Sequence, residues 1–347
     1  MGAMRYRILV GLAVVGLLAS AVRAQERVIR IGIIGLDTSH VPAFTKIFND
    51  PKAAGDLAGF KVVVGYPGGS ADIPSSRDRV QKFTDDMRKM GVEIVDSIPV
   101  LLTKCDVVLL ESVDGRPHLA QARPVLEAKK LLFIDKPLAG SLADAIAIAD
   151  LAKKNDVAWF SSSSLRFGPG LVALKNNPKV GKILGCDAWS PSPLEEHHPD
   201  LYWYGIHGVE MLYTMMGPGC ERVTRVQTGG GEDKGGELVT GVWKDGRIGT
   251  FRGIREGKHD YGAVVFGTKG IATQLGFEGY KPLDEQVAKF FKTGKPPVAA
   301  EETIELMAFM EAADESKRQG GKPVTIAEVM NKAKAAAAKE VGAGEKK

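Results

Sequence analysis

Six short runs of β-branched and leucine residues, separated by stretches of helical length, constrain this chain more than any other feature. They cover residues 28–35, 61–65, 92–95, 106–110, 131–134 and 158–161. Their cores are dense in Val, Ile and Leu with no regular polar alternation, as in strands covered on both faces. Strands alternating with helices imply a parallel sheet wound with helices. One intervening helix is plain. Ser141 stands at its N-cap with Asp144 three residues on, and Leu142, Ala145, Ile146 and Ala149 form one apolar face.

After about residue 165 the rhythm changes. Residues 238–243 and 248–254 flank Lys244-Asp245-Gly246-Arg247, and Asp-Gly is a strong hairpin signal. Residues 261–266 and 271–275 flank a second tight turn, Gly267-Thr268-Lys269-Gly270. The expected fold is α/β: an N-terminal Rossmann-like doubly wound parallel sheet, then a C-terminal α+β domain with a large open, mostly antiparallel sheet. Helices are expected at 208–216 and from about 304 to 318, the second ended by Gly320-Gly321. A length of 347 residues suits two domains better than one core. The expected boundaries are 25–160 and 161–330, with an Ala- and Lys-rich tail, 331–347, as a frayed surface helix.

Residues 1–24 read as a secretory signal peptide. Arg5 and Arg7 precede an apolar run at 8–18, and small residues lead to Val22-Arg23-Ala24, with cleavage after Ala24. The run is short against the roughly 20 residues that a bilayer demands, so no stable membrane span is expected. No Arg-Arg pair signals the twin-arginine route. The mature protein is therefore expected to be exported, periplasmic or secreted. Losing Arg5, Arg7 and Arg23 brings the net charge from +4 to +1, so the apparent basicity is no footprint for nucleic acid. A 44% hydrophobic content excludes a disordered chain, and three cysteines exclude a disulfide scaffold. Cys186 and Cys220 could pair, which spacing does not decide.

The first strand ends in Gly35-Leu36-Asp37-Thr38-Ser39-His40. A Rossmann domain carries Gly-x-Gly-x-x-Gly there, letting backbone approach a pyrophosphate at a helix N-terminus. Gly35 is the first glycine, but Asp37 and His40 hold the other two positions. A carboxylate at a helix start competes for the N–H groups and dipole that would hold an anion. Two like charges about 4 Å apart repel by roughly 1 kcal/mol even in water. Alternatively Asp37, Thr38 or Ser39 is simply the N-cap. The second strand offers no carboxylate for a ribose before Asp72. Ser70, Arg77 and Arg79 could receive a 2′-phosphate; otherwise Ser75 or Ser76 caps a helix and the arginines are solvated.

Four segments in order carry a family resemblance. Ile134-Asp135-Lys136-Pro137-Leu138-Ala139 resembles the Glu-Lys-Pro segment of the glucose–fructose oxidoreductase/inositol dehydrogenase (Gfo/Idh/MocA) family. Ser112-Val113-Asp114-Gly115-Arg116-Pro117-His118 resembles its strand end, loop and helix-opening histidine. Gly205-Ile206-His207-Gly208 resembles its Gly-x-His helix, and residues 290–312 resemble its C-terminal segment. The resemblance implies an NAD(P)-dependent oxidoreductase acting on a ring hydroxyl of a sugar, cyclitol or glycoside. It implies Lys136 and His207 as catalytic residues, the lysine stabilising oxyanion character and the histidine moving the hydroxyl proton. It places Gly35, Leu36, Thr38, Ser39, His40, Ser112, Asp135 and Lys136 at NAD or NADP, and Arg166, Trp203, Tyr204 and His207 at a small-molecule carbohydrate. An open sheet in this family could also serve a homo-oligomer.

The chain departs from the family at Asp37, and at Trp203, where the family usually has an aspartate four residues before the histidine. Trp203 cannot orient a histidine as a carboxylate does, though it offers a flat apolar face to a sugar ring. Free nicotinamide cofactors are scarce outside the cytoplasm. Export therefore opens two further readings: a redox-neutral glycoside hydrolase or lyase with a tightly held cofactor, and a non-catalytic saccharide binder using Tyr202, Trp203 and Tyr204. Glu195-Glu196-His197-His198-Pro199-Asp200 has metal-ligand residue types but poor spacing, and reads as a polar loop rimming the cleft. No metal is expected. His40 and His118 each open a helix at the sheet edge, to line the crevice or satisfy local backbone. The Ser161–Ser164 run is expected to face the cleft.

Overall fold

The computed structural model describes residues 27–229 and 234–343. The leader read at 1–24 lies outside the described residues. The N-terminal half forms β1 (Ile29–Ile34), β2 (Phe60–Tyr66), β3 (Glu93–Ile94), β4 (Val107–Leu110), β5 (Leu132–Ile134) and β6 (Trp159–Ser161). All pair in parallel, in the order β3-β2-β1-β4-β5-β6. Between them run α1 (His40–Phe48), α2 (Pro74–Lys89), α3 (Ile98–Lys104), α4 (His118–Glu127) and α5 (Leu142–Asn155). Strand order reverses between β1 and β4, which opens a crevice at the C-terminal strand ends, where such sheets bind ligands. Adjacent residues such as Ile33 and Ile34 are both fully buried, because helices cover both faces. The Ser141 cap forms as expected, its hydroxyl accepting the Asp144 N–H at 3.0 Å.

The C-terminal half adds α6 (Pro169–Lys175), β7 (Ile183–Pro191), α7 (Asp200–Trp203), α8 (Ile206–Met216), β8 (Cys220–Gln227), β9 (Gly236–Trp243), β10 (Ile248–Ile254), β11 (Gly262–Gly267) and β12 (Ile271–Leu275). It ends in α9 (Lys281–Thr293), α10 (Ala300–Arg318), β13 (Val324–Thr325) and α11 (Ile326–Ala343). The sheet order is β12-β11-β7-β10-β9-β8-β13, antiparallel except where β7 meets β10. Both hairpins form where their turn residues stand. Helix α8 lies on this sheet. A Cβ on Gly208 would sit 2.4 Å from the Phe251 ring, so glycine at that position lets the helix settle onto β10.

The structure decides three points that the sequence left open. Cys186 on β7 and Cys220 on β8 are free, buried thiols. Two strands separate theirs, a distance of about 14 Å at the usual strand spacing, well beyond disulfide reach. The tail forms a helix with most described side chains exposed; α11 begins before the expected 330/331 boundary and packs on α5 through buried Ala333 and Ala337. Small residues four apart let it approach closely. The two halves also share a core. Helix α9 returns to the N-terminal sheet and buries Leu283, Val287, Phe290 and Phe291 with α1 and β1. Each buried phenylalanine is worth roughly 2–3 kcal/mol. Among the described residues, no helix is long and apolar enough to cross a membrane.

Candidate active site

A cavity of about 310 Å³ opens between the halves, at the crevice between β1 and β4. From the N-terminal side it is lined by Thr38, Ser39, His40, Ser75, Arg79, Val113 and Lys136. The other side supplies Ser164, Leu165, Trp203, Tyr204, His207, Tyr261, Phe277 and Tyr280. A larger space of about 710 Å³ lies between α5, α10 and α11. Its walls are helix flanks, and the acid–base groups of the crevice are absent from it.

Lys136 follows β5, is 8% exposed, and holds its ammonium 5.4 Å above the Tyr204 ring, a cation–π contact across the cleft. His207 opens α8 opposite it. Burial, then the nearby Lys136 and His40 charges, holds its imidazole well below the usual histidine range, so it is neutral near pH 7. Its Nδ1 lies 2.7 Å from the Ser163 hydroxyl, which also accepts the Leu165 N–H. A serine hydroxyl can donate or accept, so either neutral tautomer of His207 is served. One turn on, Glu210 takes Arg166 Nε at 2.5 Å and the Ser163 N–H at 3.4 Å.

Arg166 does not line the cavity. It is buried between Glu210 and Glu302, at 2.5 and 2.6 Å, and supports the floor under His207 rather than facing a substrate. Tyr202 is also turned away, fully buried with its hydroxyl 3.4 Å from the Met307 carbonyl, because α7 alternates its faces. Trp203 and Tyr204 remain at the cavity, with Trp203 packed on His198 at 5.0 Å between ring centres. His198 itself is buried. It takes the Gly115 N–H at 3.1 Å and lies 2.8 Å from Glu195, tying the 195–198 loop to the N-terminal half. Arg116 completes that seam with Asp72 and Asp114.

The turn after β1 is the most instructive. Gly35 has φ +85°, and a Cβ there would lie 2.4 Å from the Ser112 N, so this glycine is required by packing against β4. Leu36 is fully buried beside Val41 and Phe44, outside the cavity. Ser112 turns to Gln121, 2.9 Å away. Asp37 is the correction. It does not cap α1 or face its N–H groups: it folds inward, fully buried, accepting the Val113 N–H at 2.9 Å and the Ser76 hydroxyl at 2.6 Å. Burial pushes its pKa up. Ser39 holds the N-cap position with no side-chain bond. Neither Ser75 nor Ser76 caps α2; Ile73 precedes it and Pro74 opens it. Arg77 pairs with Asp78 in solvent, whereas Arg79 bonds the Ser75 carbonyl at the cavity wall.

A nicotinamide dinucleotide fits this donor set. The N-terminus of α1 faces the cavity through Thr38 and Ser39 with no carboxylate presented to it, and Arg79 adds a positive charge beside it.

His40 lines the cavity and places Nδ1 2.7 Å from Asp135, which sits behind it. Burial raises the Asp135 carboxyl, but the His40 charge and hydrogen bond, with Lys136, outweigh this and leave it below its ordinary value. His118 is fully buried, between the Ser112 and Leu138 carbonyls at 2.9 and 3.1 Å, and serves the backbone alone. Sequence reasoning missed Glu111, Tyr261, Phe277 and Tyr280, whereas Ser163 lies in the serine run expected at the cleft. Only the aromatics in Gly276-Phe277-Glu278-Gly279-Tyr280 carried a signal, as large rings in a glycine-rich loop. Tyr280 packs on His40 at 4.8 Å and Tyr261 on His207 at 5.9 Å between ring centres.

Residues 29–162 match the model of an oxidoreductase family with an NAD-binding Rossmann fold. An uncharacterized oxidoreductase of Streptococcus pneumoniae is 25% identical over 167 residues, 43% of this chain and 44% of that protein. The chain spans less than half the length of the curated relatives it matches. Among solved structures, a probable dehydrogenase from Thermotoga maritima superimposes with a TM-score of 0.70 at 22% identity, covering 87% of this chain and 100% of that one. Scyllo-inositol dehydrogenase from Lactobacillus casei, crystallised with NAD(H) and scyllo-inositol, gives 0.69 at 15% identity, covering 87% and 100%. At such identities the likeness is one of fold.

Proposed function

We propose that this protein, whose residues 29–162 match the NAD-binding model of the Gfo/Idh/MocA oxidoreductases, is an NAD(P)-dependent oxidoreductase acting on a ring hydroxyl of a sugar, cyclitol or glycoside. The observation that carries this reading is the convergence of Lys136 and a neutral His207 on one cavity beside the open N-terminus of α1. Bound there, the nicotinamide would accept or return the hydride.

The chain's own residues account for the rest. Thr38, Ser39 and Arg79 would hold the phosphates. Neutral His207 takes the hydroxyl proton as the C–H bond weakens, with Ser163 fixing the imidazole and Glu210 and Arg166 fixing Ser163. The Lys136 ammonium stabilises negative charge growing on the oxygen. Trp203, Tyr204 and Tyr261 supply flat apolar walls suited to the C–H faces of a ring, while Ser164 lies at its polar edge.

The basic leader supports an exported protein. That favours a second form of the same reading, in which the cofactor stays bound and the net reaction on a glycoside is redox-neutral. Fluorescence titration of the purified protein with NADH and NADPH tests both forms, and cofactor released on denaturation separates them. His207→Ala and Lys136→Ala should each lower turnover about a hundredfold, the usual worth of an acid–base group. No binding of either nucleotide at millimolar concentration sinks the proposal. Wild-type rates in both variants would mean that the reacting groups lie elsewhere.

A further inference from the structure

Three side chains at the cavity wall take no part in that mechanism: His40 lines the cavity, and Glu111 and Asp135 lie buried behind it. His40 opens α1 after β1, and Glu111 and Asp135 directly follow β4 and β5, adjacent strands at the reversal point of the sheet. One ligand atom from each can be chosen so that all lie within 4.8 Å of one another, and all three residues are buried. Among the described residues no other His, Cys, Asp and Glu group meets that condition. Ligand atoms held at about 2.1 Å from one ion lie about 3–3.5 Å apart, or about 4.2 Å when trans, so side-chain rotation must draw the set together.

The second observation concerns partners. Glu111 is 0% exposed, and neither of its carboxylate oxygens has a hydrogen-bond partner. Its Oε2 lies 4.0 Å from His40 Nδ1, directed into the cluster. Asp135 Oδ1 is likewise unpartnered, as are both oxygens of Asp284, a buried α9 residue. Buried polar atoms in native proteins are almost always bonded, so three neighbouring carboxyl groups with orphaned oxygens require an explanation.

We infer that His40, Glu111 and Asp135 bind a divalent cation just behind the cavity wall that His40 forms. One imidazole and two carboxylates suit Mn²⁺, Fe²⁺ or Zn²⁺ better than Ca²⁺ or a thiol-seeking ion. Three protein ligands leave coordination positions open, and His40 and Lys136 line the cavity, so the ion is within reach of an oxygen-rich ligand such as a polyol. Asp284 supports the site as a charge partner rather than as a ligand.

Binding is measured without turnover, so the result stands apart from the oxidoreductase reading. The purified full-length protein is stripped with EDTA and titrated with Mn²⁺, free ion being followed by electron paramagnetic resonance. One equivalent should bind per chain, and saturating Mn²⁺ should raise the melting temperature reversibly. Glu111→Gln and Asp135→Asn, each checked for folding by circular dichroism, should weaken binding at least tenfold and abolish the thermal shift. His197→Ala, in the outer loop, should leave both unchanged. Less than a tenth of an equivalent bound by wild type, or full affinity in folded Glu111→Gln, overturns the proposal. Loss of binding in His197→Ala assigns the ion to the 195–198 loop and overturns it equally.

Discussion

Replacing Asp37 with glycine restores the family's second glycine, and two readings of that residue predict opposite results. If the carboxylate faced the helix N-terminus, it would repel a phosphate by roughly 1 kcal/mol at about 4 Å in water, and by more in a cleft. Asp37→Gly would then tighten cofactor binding about fivefold or more and leave stability nearly unchanged. The structure puts the carboxylate elsewhere, on the Val113 N–H at 2.9 Å and the Ser76 hydroxyl at 2.6 Å, fully buried. Glycine would orphan a buried N–H, costing about 1–3 kcal/mol, and lose a second bond worth about 1 kcal/mol. Extra backbone entropy in the unfolded chain adds roughly 0.5–1 kcal/mol. The expected loss is about 3–4 kcal/mol. At roughly 2 °C per kcal/mol for a chain of this size, the melting temperature falls by about 6–8 °C. Asp37→Asn retains an acceptor for Val113 and should cost only about 1 kcal/mol. Differential scanning fluorimetry with NADH titration of both variants measures the two quantities together. A glycine variant that binds more tightly and melts within 1 °C of wild type would refute the inward-facing strut.

Other expectations follow from the same geometry. Burial keeps His207 neutral, so the base-dependent limb of a kcat/KM profile should lie below the usual histidine range. In sign, the unfolded chain takes up a proton on His207 near pH 6.5 that the folded protein refuses, so this residue lowers stability as pH falls through that value. His207→Gln should remove that part of the slope in urea melts. Gly35→Ala combines a φ of +85° with a Cβ 2.4 Å from Ser112 backbone and should cost about 3–5 kcal/mol; a loss under 1 kcal/mol in urea melts would contradict the turn. Thiol titration of the protein denatured without reductant should count all three cysteines, whereas a single reactive thiol would place Cys186 and Cys220 in a bridge.

Much of the architecture was legible because its signals are local. The runs at 28–35 and 106–110, the Ser141 cap and the Asp245-Gly246 turn each depend on neighbours a few residues away, and each forms where expected. Lys136, His207, Trp203 and Tyr204 were placed by the order of motifs, and all four line the cavity. Beyond that, orientation failed. Tyr202 and Trp203 are adjacent, yet one is in the core and the other at the cavity, because a short helix turns successive side chains by about 100°. Arg166 looked like a cleft arginine until Glu210 and Glu302 proved to be its partners, both remote in sequence.

By itself, then, the sequence determined the strands, the hairpins, the two kinds of sheet and the residues able to do acid–base chemistry, since periodicity and turn chemistry act over a few residues. Only the tertiary structure decided what those residues face. Strand order sets β1 beside β4 and β5, skipping β2 and β3, and so gathers His40, Glu111 and Asp135 from three separate loops. The same arrangement brings Val113 and Ser76 around Asp37, turning an apparent obstacle to an anion into a buried tie between loops. Such encounters depend on which strands pair, and pairing is settled by burial across the whole sheet rather than by any local run.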